Sequence, residues 1–245
     1  MGIRLGWTLV GSLLLAVAAW RNGEALPPPD ELFPQLQEEP AQTAVSRPPF
    51  EATVGDITYT VRPLYRYDIS GLVVSLHDST AWWDWIHEAA YDRLNVEDLC
   101  VVFGDNVRSG AYSRIQFSSG EFECLFSSSS AADWQAFSLY AVSNNHLLTD
   151  RPELARAIRS VHIGDQVRIK GYLAEYTHHH GFNFFRGTST TRTDTGNGAC
   201  ETIYVEEFEV LRRGGSAWRA LAWLGVAAAM ACVIAWFARP PVLSE

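Results

Sequence analysis

The C-terminal run from Ala220 to Ala238 holds nineteen residues and no charge, between Arg219 and Arg239. As a helix rising about 1.5 Å per residue, it nearly matches the ~30 Å hydrocarbon core of a bilayer. Aromatic residues near its ends are typical of the headgroup level. They are Trp218, Trp223, Trp236 and Phe237. A buried helix of a soluble domain is the alternative, but such long uncharged runs are rare in cores. We predict a transmembrane helix over residues 217–238, a tail over 239–245, and membrane lipid as a partner.

A second apolar run lies at the N-terminus, from Leu5 to Trp20, between Arg4 and Arg21. Its sixteen residues are short for a span and match the apolar region of a secretory leader. Small residues at 16–18 would suit cleavage. Residues 1–20 are therefore predicted to be either a signal peptide or an N-terminal transmembrane anchor, and both alternatives export the downstream domain.

Two signals disagree on orientation. Arg212, Arg213 and Arg219 precede the C-terminal span and Arg239 follows it, so the positive-inside tendency would place the main domain in the cytoplasm. The charged N-terminal segment and the cysteines favour export, and the N-terminal segment usually dominates. We predict a periplasmic domain on the cell membrane. Lys170 is the only lysine, which is compatible with GC-rich coding and a bacterial source.

Composition divides the rest of the chain. Residues 21–50 hold seven of the eleven prolines and predict a disordered linker. Residues 51–211 predict one β-rich globular domain, and 212–216 a short join. Between residues 21 and 216 there are 16 basic and 27 acidic residues, hence a charge of −11. A phosphate backbone would be repelled, so nucleic acid is not an expected partner.

Alternating apolar residues, such as Ile57, Tyr59 and Val61, predict strands. The segment 81–94 predicts a helix whose outer face carries Asp84, Glu88 and Asp92. A calcium site would be an alternative there, but a solvated acidic face is favoured. A second short helix is predicted after Asp150.

The stretch IGDQVRIKGYLAEY, residues 163–176, resembles the strand pair of OB-type small β-barrels. In those barrels a Gly-Asp turn starts a strand and a glycine lets the next turn coil sharply. The resemblance implies a small twisted barrel, a scaffold often used to bind oligomers. We therefore expect a mainly β (α+β) extracytoplasmic domain, partly barrel-like, with two short helices and no narrower family.

Four cysteines allow several pairings. Cys100 and Cys124 fall on two predicted strands, and an oxidising compartment would pair them. Free buried thiols, or a pairing through Cys200, stay open as alternatives. Cys232 lies inside the predicted span.

Candidate chemistry gathers in the polar segment 177–201. His178, His179 and His180 are candidate metal ligands, although adjacent strand residues point to opposite faces and a solvated loop is favoured. His146 or His162 would have to supply a third ligand. The glycines of 196–198 could cradle an anion with help from Arg186 and Arg192, but a tight turn accounts for them better.

Cys200 and His146 form a candidate nucleophile and base, because a reactive thiolate needs a nearby imidazole. Glu201 or Asn145 would orient the imidazole. Nothing in the spacing selects this set, so no catalytic residue and no cofactor are assigned.

The sequence favours a non-enzymatic binding or assembly module of the envelope, acting on other envelope proteins or glycans. A cysteine- or metal-dependent envelope enzyme is one alternative. A cytoplasm-facing, membrane-tethered interaction domain is the other.

Overall fold

The computed structural model of the protein describes residues 2–194 and 199–238, with side chains from residue 5 onward. The chain divides into two compact units. The first comprises Met1–Ala25 and Gly214–Glu245, and the second comprises Leu26–Arg213. The second unit therefore begins earlier than residue 51, where the sequence predicts the folded domain to start.

Two helices, α1 (Gly2–Gly23) and α6 (Ser216–Phe237), make up the described part of the first unit. They approach closely at Gly225, where a Cβ would be 2.9 Å from the Ser12 carbonyl oxygen and 3.0 Å from the Ala16 Cβ. Small residues allow such backbone contact between helices in a membrane. A larger residue at 225 would push the two helices apart.

Among the described residues, α6 is the one helix long and apolar enough to cross a membrane. The four aromatic residues of the predicted belt are exposed on it: Trp218, Trp223, Trp236 and Phe237. The helix thus coincides with the predicted C-terminal span. The choice between signal peptide and anchor for residues 1–20 stays a prediction, and the tail 239–245 with Arg239 lies outside the described residues.

The second unit is a mixed, sheet-rich α+β structure. Its described strands are β1 (Ala41–Ala44), β2 (Phe50–Val54), β3 (Ile57–His77), β4 (Asn95–Val102), β5 (Gln116–Gly120), β6 (Glu123–Ser127), β7 (Val142–Leu148), β8 (Gln166–His178), β9 (Phe184–Arg186) and β10 (Glu201–Arg212). Its described α-helices are α2 (Trp85–Ala89), α3 (Gly104–Ser109), α4 (Ala131–Ala136) and α5 (Pro152–Arg159). The helix predicted after Asp150 corresponds to α5, where Pro152 occupies the first turn.

Strand pairing follows the order β1–β3–β4–β7–β10–β8–β9, with β2 on β3 and an additional pairing of β3 with β8. The contact of β7 with β10 is parallel and the others are antiparallel. Strands β5 and β6 form a separate two-stranded hairpin. The long strand β3 serves two partners, because residues 60–72 pair with β8 and residues 72–77 pair with β4.

The stretch that resembles an OB-type strand pair is one strand. Gly164 has φ 87°, the left-handed conformation that a Gly-Asp turn requires. The chain then continues straight through Gly171 as β8. A Cβ at Gly171 would lie 2.0 Å from the Tyr204 carbonyl oxygen. This glycine therefore permits the close approach of β8 and β10, whereas the resemblance predicts a turn there.

The segment predicted to be a disordered linker packs on the second unit from Leu26 onward. Leu32 and Leu36 are buried, and residues 29–31 and 34–37 form 3₁₀ turns that begin at prolines. Strand β1 then pairs with residues 65–68 of β3. Apolar residues between the prolines provide enough buried surface to order this segment, which a count of prolines does not reveal.

The main core lies inside the sheet, against α5. Leu154 and Ile158 of α5 contact it, together with apolar residues from five strands. Those residues include Ile69, Leu99, Leu147, Leu173 and Ile203. Strands β4 and β7 are buried along nearly their whole length, so the face opposite this core is covered as well.

Candidate functional site

One face of β3, β4 and β7 carries polar side chains in two neighbouring rows. Directly paired residues point to the same face, as do residues two apart on one strand. The first row is His77, Asp98 and His146, and the second is Ser75, Cys100 and Asn144. Cys200, just before β10, extends the second row, since its Sγ lies 3.6 Å from Asn144 Nδ2. We call this surface the polar face.

A thiol, an imidazole and a carboxylate meet on the polar face. His146 Nδ1 lies 2.6 Å from Asp98 Oδ1, and the Cys200 side chain is near enough to the same imidazole to help raise its pKa. Asp98 and His146 are buried, whereas Cys200 is partly exposed. This is the order of groups in a thiol nucleophile, its base and the group that orients the base.

The charges of this cluster are coupled. Burial by itself would lower the pKa of His146, but the Asp98 charge and hydrogen bonds to Asp98 and Cys200 raise it to about 9. Burial would likewise raise the pKa of Asp98, but the charge and hydrogen bond of His146, with help from Asn95, lower it. The pair is therefore imidazolium and carboxylate at neutral pH.

A side-chain amide is the next neighbour of the sulfur. Asn144 Nδ2 donates to the Phe122 carbonyl oxygen at 3.1 Å and lies 3.6 Å from Cys200 Sγ. The same carbonyl oxygen is 3.6 Å from Cys200 Sγ. One backbone carbonyl oxygen thus accepts from both the thiol and the amide.

A second imidazole–carboxylate group adjoins the first. Asp84 Oδ2 lies 2.7 Å from His77 Nε2 and 2.5 Å from His87 Nδ1. Asn95 Nδ2 links the two groups, at 3.2 Å from His87 Nε2 and 2.8 Å from Asp98 Oδ1. Asp84 also accepts from the His87 backbone N–H as the cap of α2. Hydrogen bonds therefore run without a break from His77 through Asp84, His87, Asn95 and Asp98 to His146.

The residues that could hold a metal ion in the described chain are His77, Asp84 and His87, whose ligand atoms lie within 4.8 Å of one another. Two imidazoles and a carboxylate suit zinc. However, the Asn95 amide donates to His87 Nε2, so the His87 proton is on Nδ1, the atom that would bind the metal. Protons, rather than a metal ion, therefore link these three side chains. We assign the three residues to the hydrogen-bonded network.

The β5–β6 hairpin covers the polar face. Ser119 Oγ hydrogen-bonds Ser75 Oγ at 2.8 Å, and Cys124 lies at disulfide distance from Cys100, with a Cα–Cα separation of 5.7 Å. The predicted pairing of these two cysteines is thus supported by the structure. The Phe122 carbonyl oxygen of the hairpin also accepts from the Asn144 amide. The hairpin therefore contacts each of the three residues of the second row.

Phe122, at the hairpin tip, has φ 63°, a left-handed conformation that is rare for a bulky residue. Its ring centroid is 4.3 Å from that of His87 and 5.9 Å from that of His146. The Arg186 guanidinium carbon lies 3.9 Å from the Phe122 ring centroid. The ring therefore occupies a slot between an imidazole and a guanidinium.

Four buried polar atoms around this cluster have no hydrogen-bond partner among the described residues. They are Asn95 Oδ1, Asp98 Oδ2, Asn144 Oδ1 and Arg186 Nη1. Buried polar atoms are usually paired, and unpaired ones concentrate at functional sites. The stability of the sheet alone does not explain why they gather here.

The three adjacent histidines do not converge. His178 Nε2 is 2.9 Å from the Ala90 carbonyl oxygen, while His179 Nδ1 is 2.8 Å from Asn183 Oδ1. The His180 ring lies edge-on to Tyr91. His146 belongs to the polar face instead. The candidate metal site at 178–180 therefore has no converging ligands within the described residues, because His178 ends β8 and His179 and His180 lie in the loop that follows.

The structure brings Cys200 and His146 together, as the sequence hypothesis requires, but with a different orienting group. Glu201 and Asn145 both contact Ser143 on the opposite face of the sheet. Asp98 fills the predicted role. Since successive strand residues alternate, the neighbours of Cys200 and His146 in sequence could not join them.

The predicted acidic helix face is also different. Helix α2 spans Trp85–Ala89, and Asp84 and Asp92 are buried. Asp92 accepts from the Tyr176 hydroxyl at 2.8 Å, while Asp84 caps α2. Of the predicted anion cradle, residues 195–198 lie outside the described residues. Arg192 hydrogen-bonds the Tyr67 hydroxyl at 3.0 Å.

Three groups of this site are missed by sequence reasoning: Asp98, Asn144 and Phe122. A polar residue beside an apolar strand segment is the available signal, since Asp98 precedes the run 99–103 and Asn144 follows the run 139–142. Which of the scattered aspartates and asparagines meet depends on strand order, which the sequence does not give.

Comparisons with protein-family models, with curated proteins and with solved structures gave no match to this chain. Function is accordingly argued from the geometry of the polar face.

Proposed function

We propose that this protein is a membrane-anchored thiol enzyme in which Cys200 is the nucleophile, His146 the general base and acid, and Asp98 the group that orients His146. The observation that carries the proposal is the His146–Asp98 pair, joined at 2.6 Å, with the Cys200 side chain beside the same imidazole. Cys200 is partly exposed, whereas His146 and Asp98 are buried.

The reaction class that fits is acyl transfer. Because His146 already carries a proton, the attacking group is the Cys200 thiolate, whose sulfur forms a bond to a substrate carbonyl carbon while the C=O electron pair moves to oxygen. The oxyanion then re-forms the carbonyl, the bond to the leaving group breaks, and His146 gives its proton to that group. The neutral His146 takes a proton from water as the water oxygen adds to the thioester, and collapse of this second intermediate breaks the C–S bond and releases the acid and the thiolate.

Asn144 is the group suited to stabilise the oxyanion, because its amide donor is 3.6 Å from the Cys200 sulfur. The amide already donates to a carbonyl oxygen, that of Phe122. The partner base is held in place by a buried carboxylate, which favours one tautomer and one ring orientation.

We further propose that the second unit lies outside the cytoplasm, held by α6. The Cys100–Cys124 pair supports this compartment, because disulfides persist in oxidising environments. An OB-type barrel is part of the same proposal, since the pairings from β3 through β4, β7, β10 and β8 return to β3. A reporter fused in residues 44–48 and active only in the cytoplasm would contradict the location.

The test is acylation of the full-length protein in detergent by p-nitrophenyl acetate. The acetyl group is small, so we expect a burst of p-nitrophenol and an acetyl group on Cys200 by peptide mass mapping. Cys200→Ser should abolish both. Cys232→Ser is the matched control, because Cys232 is the other free cysteine of the described chain and lies in α6. Acetylation that persists in Cys200→Ser would overturn the proposal.

A second candidate is a binding module, as the sequence favours. Trp82, Trp83 and Trp85 are 87%, 60% and 68% exposed, and exposed aromatic clusters mark contact surfaces. These residues would contact envelope proteins or glycans. Replacing all three by alanine should then abolish crosslinking to a partner in native membranes while Cys200 acetylation continues. Unchanged crosslinking would discard this candidate.

A further inference from the structure

The β5–β6 hairpin places a backbone carbonyl where the proposed reaction needs a substrate carbonyl. The Phe122 oxygen accepts from Asn144 Nδ2 at 3.1 Å and lies 3.6 Å from Cys200 Sγ. The hairpin tip therefore presents its carbonyl oxygen to the same thiol and amide that the proposed reaction would present to a substrate.

The side chain of the same residue fills a defined slot. The Phe122 ring centroid lies 4.3 Å from the His87 ring centroid and 3.9 Å from the Arg186 guanidinium carbon. A flat ring beneath a guanidinium gains cation–π attraction. Both walls are fixed, since His87 bonds Asp84 and Arg186 is ion-paired with Asp92 at 4.0 Å.

The backbone at the tip is unusual for its residue type. Phe122 has φ 63°, which a glycine or asparagine would adopt at less cost. A turn that only joined two strands would not require an aromatic residue there. The contacts of its ring and carbonyl offset this strain, which is typical of residues that occupy a functional site.

We propose that the tip of the β5–β6 hairpin is a built-in substrate mimic, and that the substrate is an acyl compound with an aromatic side chain on the carbon next to the attacked carbonyl. An N-acylated phenylalanine or tyrosine residue has this chemistry. In the mimic, the carbonyl meets Asn144 and Cys200 while the ring enters the His87–Arg186 slot. The inference rests on the proposed thiol enzyme.

The hairpin is held in this position by its own strand contacts. Cys124 is bonded to Cys100, and Ser119 to Ser75. These contacts lie two or three residues from Phe122, so the tip can change while the hairpin stays attached. Phe122→Ala removes the ring that anchors the tip, so the tip and its carbonyl can move aside and admit the ring and carbonyl of a substrate while the hairpin stays attached.

The experiment compares p-nitrophenyl esters of N-acetyl-phenylalanine and N-acetyl-alanine on the full-length protein. We expect Phe122→Ala to raise kcat/KM for the phenylalanine ester at least ~10-fold over the parent, and to prefer it over the alanine ester by at least ~10-fold. Cys200→Ser in the same background should remove the activity. Leu125→Ala is the matched control, because Leu125 lies on the same hairpin with its side chain 53% exposed.

Two outcomes separate this inference from the proposed function. If p-nitrophenyl acetate acylates Cys200 but Phe122→Ala has the same kcat/KM for both amino-acid esters, the substrate-mimic inference is wrong and the thiol-enzyme proposal stands. If no ester acylates Cys200 in any variant, both are wrong. Melting temperatures and the Cys100–Cys124 bond are measured in each variant, and Phe122→Leu, which keeps the slot filled, should stay at the parent rate.

Discussion

Two sets of three histidines in the second unit have opposite character. His178, His179 and His180 are adjacent in sequence, and each contacts a different group. His77, His87 and His146 are separated by 10 and 59 residues, yet they belong to one hydrogen-bonded network. Proximity along the chain therefore says little about a site in a sheet. Strand pairing decides which imidazoles share a carboxylate.

The comparison also separates two uses of a buried histidine. His178 is almost wholly buried and bonds a backbone carbonyl, so it satisfies the structure around it. His146 is similarly buried but is paired with a charged carboxylate and a thiol. The second environment holds a charge that a stable sheet does not require.

The largest expected effect is on the acylation of the thiol. His146→Gln should slow acetylation of Cys200 by p-nitrophenyl acetate by about 10³-fold or more, because the base is lost. His179→Gln, the matched change in the adjacent set, should leave the rate within about twofold. Burst kinetics measure both. Equal effects of the two changes would show that the two sets of histidines do not differ in function.

Asp98→Asn should have the next largest effect. It removes the charge that raises the pKa of His146 to about 9, so we expect a neutral buried imidazole that has lost its orienting carboxylate and a rate about 10²-fold lower. Breaking a buried pair destabilises by about 3 kcal/mol. Thermal melting and acetylation kinetics check the two consequences. An unchanged pH–rate profile would contradict the role of Asp98.

The same pair predicts how stability depends on pH. The raised pKa of His146 contributes stability that is complete below about pH 6.5 and is lost as pH rises through about 9. The lowered pKa of Asp98 contributes stability that is lost only when pH falls below its ordinary value. In Asp98→Asn, melting curves should no longer show the loss of stability between about pH 6.5 and 9.

Glu97, which precedes Asp98 and points to the other face of β4, offers a contrast in sign. Burial first, then the charges of Asp78 and Asp98, raise its pKa to about 8, against a smaller opposing effect of Arg159. Folding therefore becomes less favourable as pH rises from about 4.5 to 8. Glu97→Gln should raise the melting temperature at about pH 8 by about 5 °C and barely change it at about pH 4.5. A similar change at both values would show that Glu97 is not titrating.

The smallest effects are expected from substitutions in the adjacent set of histidines, and they test the comparison most finely. His178→Ala should destabilise by about 2 kcal/mol, since it leaves the Ala90 carbonyl unpaired and removes a ring that stacks on Phe184 at 4.8 Å between centroids. His179→Ala should stay within about 0.5 kcal/mol. Neither should alter acetylation. Melting curves with and without added zinc test the absence of a metal contribution at this loop.

Local patterns in the sequence predict part of this structure. An uncharged run identifies α6, and a pair of cysteines on short apolar segments identifies the Cys100–Cys124 contact. Both predictions rest on local composition or on a small number of residues. The ordering of residues 26–50 is not predictable in this way, because Leu32 and Leu36 stabilise it only once a distant sheet is present.

Only part of the site can be predicted from the sequence. Cys200 and His146 can be suggested as a nucleophile and base from their chemistry alone. Asp98 cannot, because it reaches His146 through the antiparallel register of β4 and β7. Phe122 cannot either, since its contacts arise from a hairpin that folds back over three strands. Long-range pairing is the information that a single sequence leaves out.

The order of the cysteines along the chain has a consequence for how the molecule is made. Cys100 and Cys124 are 24 residues apart, and both are synthesised well before Cys200. In the proposed export of the second unit, the earlier two can join before the third emerges. Synthesis in this direction leaves the sulfur of Cys200 unbonded. Refolding of the complete reduced polypeptide would instead expose all three cysteines to one another at once, and it should yield a fraction of mispaired, inactive product.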